Sequence, residues 1–408
     1  MIEILRPGAL ASIQDLGRNG MRRFGVGGTG ALDSVALRVG NLLLGNEPGA
    51  AAIEFTLGRA TVRFHADLRI ALTGAECRAD LDGEPVWCWH AFDVRAGSTL
   101  TLPAPRGGTR TYLCVAGGID VPLAMGSRST DLKAGFGGHQ GRALRRGDRL
   151  AALRPGFGPA PLPPIGVLAP AWALPSPLSP SSLLSPSSPS SPPQQSQQSS
   201  SPSQPPQSWQ SPQSPQSPQS PQSLRTPQSS PSPASADSRA LPIRMLPGLE
   251  YDQFEADAQQ ALWQADWTVT PNSNRMGFRL EGPALARRPG APELLSHGVV
   301  PGVMQVPPGG QPIVLMADAQ TTGGYPKIGV VIEADLWRLA QAPLGAAVRF
   351  HRVGLEEAEA ARMQVQTYLR QIAQAVAWQS EARTGAQALA ARRRAMTRRL
   401  SPADATLP

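Results

Sequence analysis

Residues 298–331 read GVVPGVMQVPPGGQPIVLMADAQTTGGYPKIGVV. The apolar run from Pro312 to Ala317 is too short for a typical helix. Pro307-Pro308-Gly309-Gly310 before it and Gly323-Gly324-Tyr325-Pro326 after it are turn sequences, so the stretch reads as a strand held between two turns. Equally short runs recur at Ile243 to Leu246, Trp267 to Val269 and Ala347 to Arg352, with one helical pattern at Ala334 to Gln341. Upstream, Ala60 to Phe64, Leu68 to Leu72, Thr99 to Leu102 and Tyr112 to Val115 are separated by Gly, Pro and Asp turns. This spacing is that of an all-β sandwich or barrel, present twice. One helix stands out in the first half, where Leu32, Val35, Ala36, Val39, Leu42 and Leu43 recur at helical spacing and Gly45-Asn46 supplies a stop.

The strand at 312–317 also delivers chemistry. Asp318, Gln320, Thr321, Thr322, Tyr325 and Lys327 emerge from its end, placing a carboxylate, an amide, two hydroxyls, a phenol and an ammonium on one loop. Turn formation accounts for Gly323, Gly324 and Pro326 but not for this concentration of functional groups, and loops on a rigid sheet are where chemistry concentrates. Arg275 and Gln305 belong to the same polar and glycine-rich series.

Composition narrows the function. The 408-residue chain has 38 basic side chains, of which only Lys133 and Lys327 are lysines. A P-loop needs Gly-Lys, but these lysines follow Leu132 and Pro326, so no Walker cradle exists. Nor does either stand in the Met-Lys pair of a biotin acceptor, so no covalently bound biotin is expected on this chain. A lysine retained among so many arginines suits a task that needs a compact, protonatable ammonium. Three cysteines with no CxxC pair suggest neither a disulfide framework nor a zinc site, and a reducing, cytoplasmic setting follows. MIEILRPG at the start lacks the apolar stretch of a signal peptide, and no run of about 18 apolar residues could span a bilayer.

The chain divides at 156–240, where Ser, Pro and Gln dominate from about Leu174 to Ser238. Such a segment has too little to bury to offset the entropy of ordering, so it is expected to be a disordered insert. Residues 1–155 carry 19 basic and 14 acidic side chains, while 241–354 carry 9 and 10. Residues 355–408 read as a helical basic tail, acidic near its start at Glu356, Glu357 and Glu359 and basic near its end at Arg392, Arg393, Arg394, Arg398 and Arg399. The arginine run reads as a solvated face, and nucleic acid is not expected as a partner.

Other motifs carry less. Gly25, Gly27 and Gly30 satisfy GxGxxG, but NGMRRF before them is no buried parallel strand and βαβ alternation is missing. The better reading is a loop whose backbone approaches a ligand or partner, with Asp33 capping the following helix or facing a site. Ser127, Arg128 and Lys133, beside a flexible GFGGHQG segment, suit an anion such as a carboxylate or phosphate. No GxSxG, HExxH or metal-ligand cluster is present, so no metal site is expected. Of five scattered histidines, His139 is kept for its place beside Lys133.

Taken together, SIQDLGRNG, ALDSVALRVGNLLLGN, AGGIDVP, GSRSTDLKAGFGG, NRMGFRLEGP and the 298–331 stretch resemble the biotin-dependent carboxyltransferase-like family. That family includes the C subunit of bacterial ATP-dependent 5-oxoprolinase, the sporulation protein KipA and part of urea carboxylase. The resemblance covers nearly all of 1–155 and 241–354. It departs at Leu32 and Asn274, where Met and often Asp are usual, and in the Ser/Pro/Gln insert. It implies a mainly β fold of two cyclophilin-like, barrel-like subdomains with few helices. It also implies a KipI-like B subunit and an A subunit as partners, ATP as co-substrate of the complex and a small cyclic amide as substrate. The expected catalytic residues are Lys327, Asp318 and Arg128. The expected substrate-binding residues are Gln305, Thr321, Thr322, Gly323, Gly324, Tyr325, Arg275, Asp33, Ser127 and Lys133. Two other expectations accompany these: a KipA-like protein that sequesters a kinase inhibitor, and a carboxyltransferase subunit served by a separate biotin carrier.

Overall fold

A computed structural model describes residues 1–153, 164–170 and 240–400. The Ser/Pro/Gln insert at 174–238 lies outside the described residues, as do the side chains of the arginine run. The described residues on both sides of the insert fall in one compact unit.

The fold is mainly β. Two sheets build the first half, the sandwich form of the sandwich-or-barrel pattern. One has seven strands, in the order Ile119–Asp120, Arg149–Ala152, Ile2–Arg6, Ala60–Phe64, Thr99–Leu102, Asp80–Leu81 and Glu84–Pro85. The other has six, in the order Ile165–Gly166, His90–Val94, Leu68–Glu76, Gly107–Val115, Ala52–Thr56 and Leu10–Gln14. Their apolar faces meet in one core that includes Ile2, Val62, Phe64 and Leu100 from the first sheet and Ile13, Phe55, Ile70 and Leu113 from the second. The second sheet has helix α1 (Ser34–Leu43) against it; Thr73 Oγ1 donates to Ala36 O at 2.7 Å. The helix begins at Ser34 rather than Leu32 because Asp33 caps it, its carboxylate accepting the Ala36 amide.

The second half closes into a seven-stranded barrel. Its strands run Leu241–Pro247, Lys327–Val331, Val303–Gln305, Ile313–Leu315, Gly277–Glu281, Trp267–Val269 and Ala347–Arg352, and a parallel pairing of the last with the first seals the ring. Ile243, Met245, Trp267, Phe278, Met304, Val314, Ile328 and Phe350 fill its interior. Helices α2 (Ala256–Gln264) and α3 (Glu333–Gln341) accompany it, and α2 has no counterpart among the sequence expectations.

Helix α3 joins the halves. Trp337 packs into the sandwich core while Leu339 and Ala340 pack into the barrel core. At its end, the Gln341 amide is saturated: its oxygen accepts from the Thr109 and Arg110 amides at 2.8 and 2.9 Å, and its nitrogen donates to Asp33 Oδ2 at 2.8 Å and Arg110 O at 3.0 Å. Helix α4 (Leu355–Leu400) begins beside the barrel and reaches the sandwich. Ala361 packs with Ile332 and Val353, and Ile372 enters the sandwich core with Tyr368 and Leu369 against it. Its first half is thus a packed element of the fold.

Candidate functional site

The loop from Asp318 to Lys327 leaves the barrel strand Ile313–Leu315 and returns as Lys327–Val331. Three polar networks meet around it.

The first lies deepest. Arg275 donates from Nε and Nη2 to the two oxygens of Asp318, both at 2.9 Å, and from Nη1 to Glu54 Oε1 at 2.5 Å. Its Nη2 also reaches Gly30 O at 2.6 Å, so the glycine loop expected to meet a ligand or partner meets a guanidinium. Glu54 accepts in addition from the Tyr112 hydroxyl at 2.6 Å and the Leu32 amide at 3.0 Å, and Tyr112 accepts from the Asp33 amide. Burial alone would lower the Arg275 basicity, but Glu54 and Asp318 outweigh it and hold the guanidinium above its ordinary value. Burial likewise opposes ionisation of Glu54, yet Arg275 and Arg110 hold its carboxyl below the usual range. Among the described residues Asp33 has no ion-pair partner, and burial pushes its carboxyl up to about 6. Of the expected residues, Asp318 and Arg275 are therefore directly paired, and Asp33 caps α1 at the margin of the same network.

The second network surrounds Lys327. Its ammonium donates to Gly323 O at 3.2 Å and lies 3.3 Å from His297 Nδ1, while its backbone amide donates to Glu250 Oε2 at 2.9 Å. His297 Nε2 stands 3.9 Å from Glu250 Oε1. Burial lowers the Lys327 basicity against the pull of Glu250. Gln305, also buried, accepts from Gln320 Nε2 at 3.2 Å, yet its own Nε2 has no hydrogen-bond partner among the described residues. That nitrogen lies 2.4 Å from where a Cβ on Gly323 would sit, so glycine is what lets the loop pass over it. Thr321 is half-buried, while Thr322 and Tyr325 are exposed on the same loop. Gly324, Tyr325 and Pro326 form one wall of a groove of about 490 Å³ whose other walls include Leu285, Arg287 and Pro307–Gly310.

The third network belongs to the sandwich. Asp15 accepts from the Ser127 and Ser129 hydroxyls, each at 2.6 Å, and from the Gly17 and Arg128 amides. Arg128 Nε is spent on Val121 O at 3.0 Å. Beside it the buried Arg18 donates to Thr29, Ala124 and Ser129 and stacks on Phe136, 4.4 Å from the ring centre. Lys133 is exposed, on the turn that Asp131 caps. The GFGGHQG segment, expected to be flexible, is closely packed: a Cβ on Gly137 would sit 2.2 Å from Ser129 O. His139 faces Asp148, at 3.5 Å.

The networks are connected. Arg22 donates to Val299 O at 2.5 Å and Gln320 O at 2.6 Å, tying the glycine loop to the 318–327 loop. Gln320 in turn reaches Gln305. The structure therefore gathers Lys327, Gln305 and Gly323 at one point and, at the start of the same loop, pairs Asp318 with Arg275. Ser127, Arg128 and Lys133 lie on the third network, and no direct hydrogen bond or ion pair joins them to Lys327 among the described residues. Glu54, Asp15, Arg18, Glu250 and His297 were not singled out in sequence. Glu54 alone left a signal there, a carboxylate inside the otherwise apolar run Ala52-Ile53-Glu54-Phe55.

Such an arrangement can bind and polarise a carbonyl or anionic oxygen. It offers an ammonium in a partly dehydrated setting and a free amide donor beside it, on a loop whose start is held by the Arg275–Asp318 ion pair. Among the described residues there is no group of three or more His, Cys, Asp or Glu placed to hold a metal. No helix among them is long and apolar enough to cross a membrane.

Residues 24–352 match the family model described as "Carboxyltransferase domain, subdomain A and B". The chain is 42% identical to the 5-oxoprolinase C subunit of Escherichia coli K12 over 376 residues, covering 91% of this chain and 98% of that one. It is 38% identical to the 5-oxoprolinase C subunit of Haemophilus influenzae, covering 91% and 97%. Urea amidolyase of Lachancea kluyveri is 29% identical, with 85% of this chain matched to 17% of the larger protein. Among solved structures, K. lactis urea amidolyase superposes with a TM-score of 0.69 at 25% identity, covering 91% of this chain and 20% of that one. By these matches, and by the mainly β fold they share, the chain belongs to the carboxyltransferase-domain family.

Proposed function

We propose that this chain is the C subunit of an ATP-dependent 5-oxoprolinase. In this reading it acts with a KipI-like B subunit and an A subunit to convert 5-oxoproline to glutamate while ATP becomes ADP and phosphate. The observation that supports this is the near end-to-end match to the C subunit of 5-oxoprolinase, against a match to only a fraction of the urea amidolyase chain.

The chemistry asks for what the Lys327 site offers. A lactam is a poor electrophile; moving the γ-phosphoryl group of ATP to its oxygen gives ADP and an imidoyl phosphate. One water then adds to the ring carbon as the carbon–nitrogen bond breaks, giving γ-glutamyl phosphate, and a second water releases phosphate and glutamate. Negative charge gathers on oxygen in these steps, and fixed donors in a dehydrated site stabilise it. Lys327 supplies the cation and Gln305 Nε2 the neutral donor, with Thr321 and Thr322 at hand for the substrate carboxylate. Asp318, held at both oxygens by Arg275, orients the loop rather than taking a proton. Arg128 and Ser127 brace the neighbouring wall through Asp15.

The family description favours a second reading, in which carboxybiotin on a separate carrier arrives as a substrate. One experiment separates the two: copurify the chain with its KipI-like partner and a candidate A subunit, then measure glutamate and ADP release from 5-oxoproline and ATP with each component omitted in turn. Coupled release that requires this chain supports the oxoprolinase. A stable complex without turnover, active only with a carboxylated biotin carrier, overturns it.

A further inference from the structure

We infer that His297, backed by Glu250, is a positioning residue that sets how Lys327 presents its ammonium. This rests on the reading of Lys327 as the cation of the site.

The geometry gives His297 two mutually exclusive partners. Its Nδ1 lies 3.2 Å from Leu295 O and 3.3 Å from Lys327 Nζ. An unprotonated Nδ1 accepts a hydrogen from the ammonium, which leaves the Nε2 hydrogen on the side facing Glu250 Oε1, 3.9 Å away. A protonated Nδ1 can only donate, so it turns to Leu295 O and releases the ammonium hydrogen that it held. Glu250 holds the Lys327 backbone, its other carboxylate oxygen receiving that amide at 2.9 Å, and presents its charge to the imidazole without a hydrogen bond. Glu250 is the charged group facing Lys327 from the turn before Tyr251–Gln253, and His297 is the titratable group on the strand His297–Gly298. Gln305 and Gln320, which approach from the barrel side, are uncharged. Protonation of one imidazole therefore changes the number of ammonium hydrogens available to a bound oxygen, with the Gly323 carbonyl as the constant partner.

The sequence makes a direct test possible, because Lys327 shares the whole chain with only one other lysine, Lys133. Biosynthetic incorporation of [13C,15N]lysine labels these two side chains alone and leaves their hydrogens in place. Lys133→Arg assigns the signals, and their shifts are followed by NMR from pH 5 to 11. The wild-type Lys327 signal should show a second inflection transmitted from His297 beside its own, with its own below the ordinary lysine value. His297→Gln should abolish the second inflection and leave the Lys133 signal unchanged, and Glu250→Gln should move the Lys327 midpoint down. Much of the His297 side chain is solvent-accessible, so its variant is expected to fold. A Lys327 signal indifferent to both substitutions overturns the inference whether or not the complex turns over 5-oxoproline. In an active complex, His297→Ala should lower kcat about tenfold to a hundredfold with little change in KM. His297→Gln, whose amide oxygen still accepts from Lys327, should recover most of that loss and flatten the acid limb of the pH profile. An unchanged acid limb in His297→Gln would also overturn the inference.

Discussion

Arg275 of the barrel half and Glu54 of the sandwich half form an ion pair at 2.5 Å with both side chains almost fully buried. Taken alone, the sandwich half would leave Glu54 buried in an apolar strand without its guanidinium, while the barrel half would keep only the Arg275–Asp318 pair. The pair therefore specifies how the two halves dock, and with them the loop from Asp318 to Lys327.

Removing one partner should expose that dependence. Arg275→Met leaves Glu54 and Asp318 as neighbouring buried carboxylates, and such a loss typically costs about 3–5 kcal/mol. Denaturant unfolding should show an unfolding free energy lower by that amount and a lower midpoint, while Arg275→Lys recovers part of it through charge but not the fork. A midpoint unchanged in Arg275→Met would mean that the pair does not hold the halves together.

Asp33 should leave a pH signature. Its folded value of about 6 lies above the ordinary 3.8 because burial disfavours the carboxylate. The folded state therefore holds the proton to higher pH than the unfolded state does. This contribution to stability is complete below about pH 4 and is lost as pH rises through 6, with a ceiling of about 3 kcal/mol. Asn at this position still caps Ala36 but does not titrate. The stability difference between wild type and Asp33→Asn, measured by urea unfolding at several pH values, should shift against the wild type between pH 4 and 6 and then level off. Parallel profiles would contradict the assignment.

Gly323 and Gln305 should be energetically coupled. A methyl group at 323 meets Gln305 Nε2 at 2.4 Å, whereas nothing about its backbone conformation demands glycine. Gly323→Ala should thus displace the amide and cut kcat/KM by about tenfold to a hundredfold. In a Gln305→Ala background the same change should cost almost no further kcat/KM, giving a coupling energy of about 1–3 kcal/mol in a double-mutant cycle. Additive effects would show that the close approach is not the constraint.

How much of this was legible in the sequence depended on range. The strands Ala60–Phe64, Thr99–Leu102, Trp267–Val269 and Ala347–Arg352 and the helix at 334–341 were readable because alternation and turn residues are local signals. Helix α2 was missed because ADAQQALWQ buries only Ala258 and Leu262, too few apolar positions to show a period. Within the site, Lys327 and Asp318 were visible as an excess of functional groups on one loop, and Gln305 as part of the same polar and glycine-rich series. His297 and Glu250 were not, since each approaches Lys327 from a separate segment, 30 and 77 residues away in sequence. The packing of α4 onto the sandwich core and onto Ile332 and Val353 was hidden in the same way, behind a composition that reads as a charged tail.

The most direct test of the account replaces Lys327 in the assembled complex. Glutamate and ADP release from 5-oxoproline and ATP would be compared for wild type, Lys327→Ala and Lys327→Arg, with complex formation checked by size-exclusion chromatography. The account predicts intact complexes and a fall in turnover on the order of a hundredfold or more in both variants, because a planar guanidinium cannot take the place of the ammonium between Gly323 O and His297. Turnover at the wild-type rate in an intact Lys327→Ala complex would contradict it.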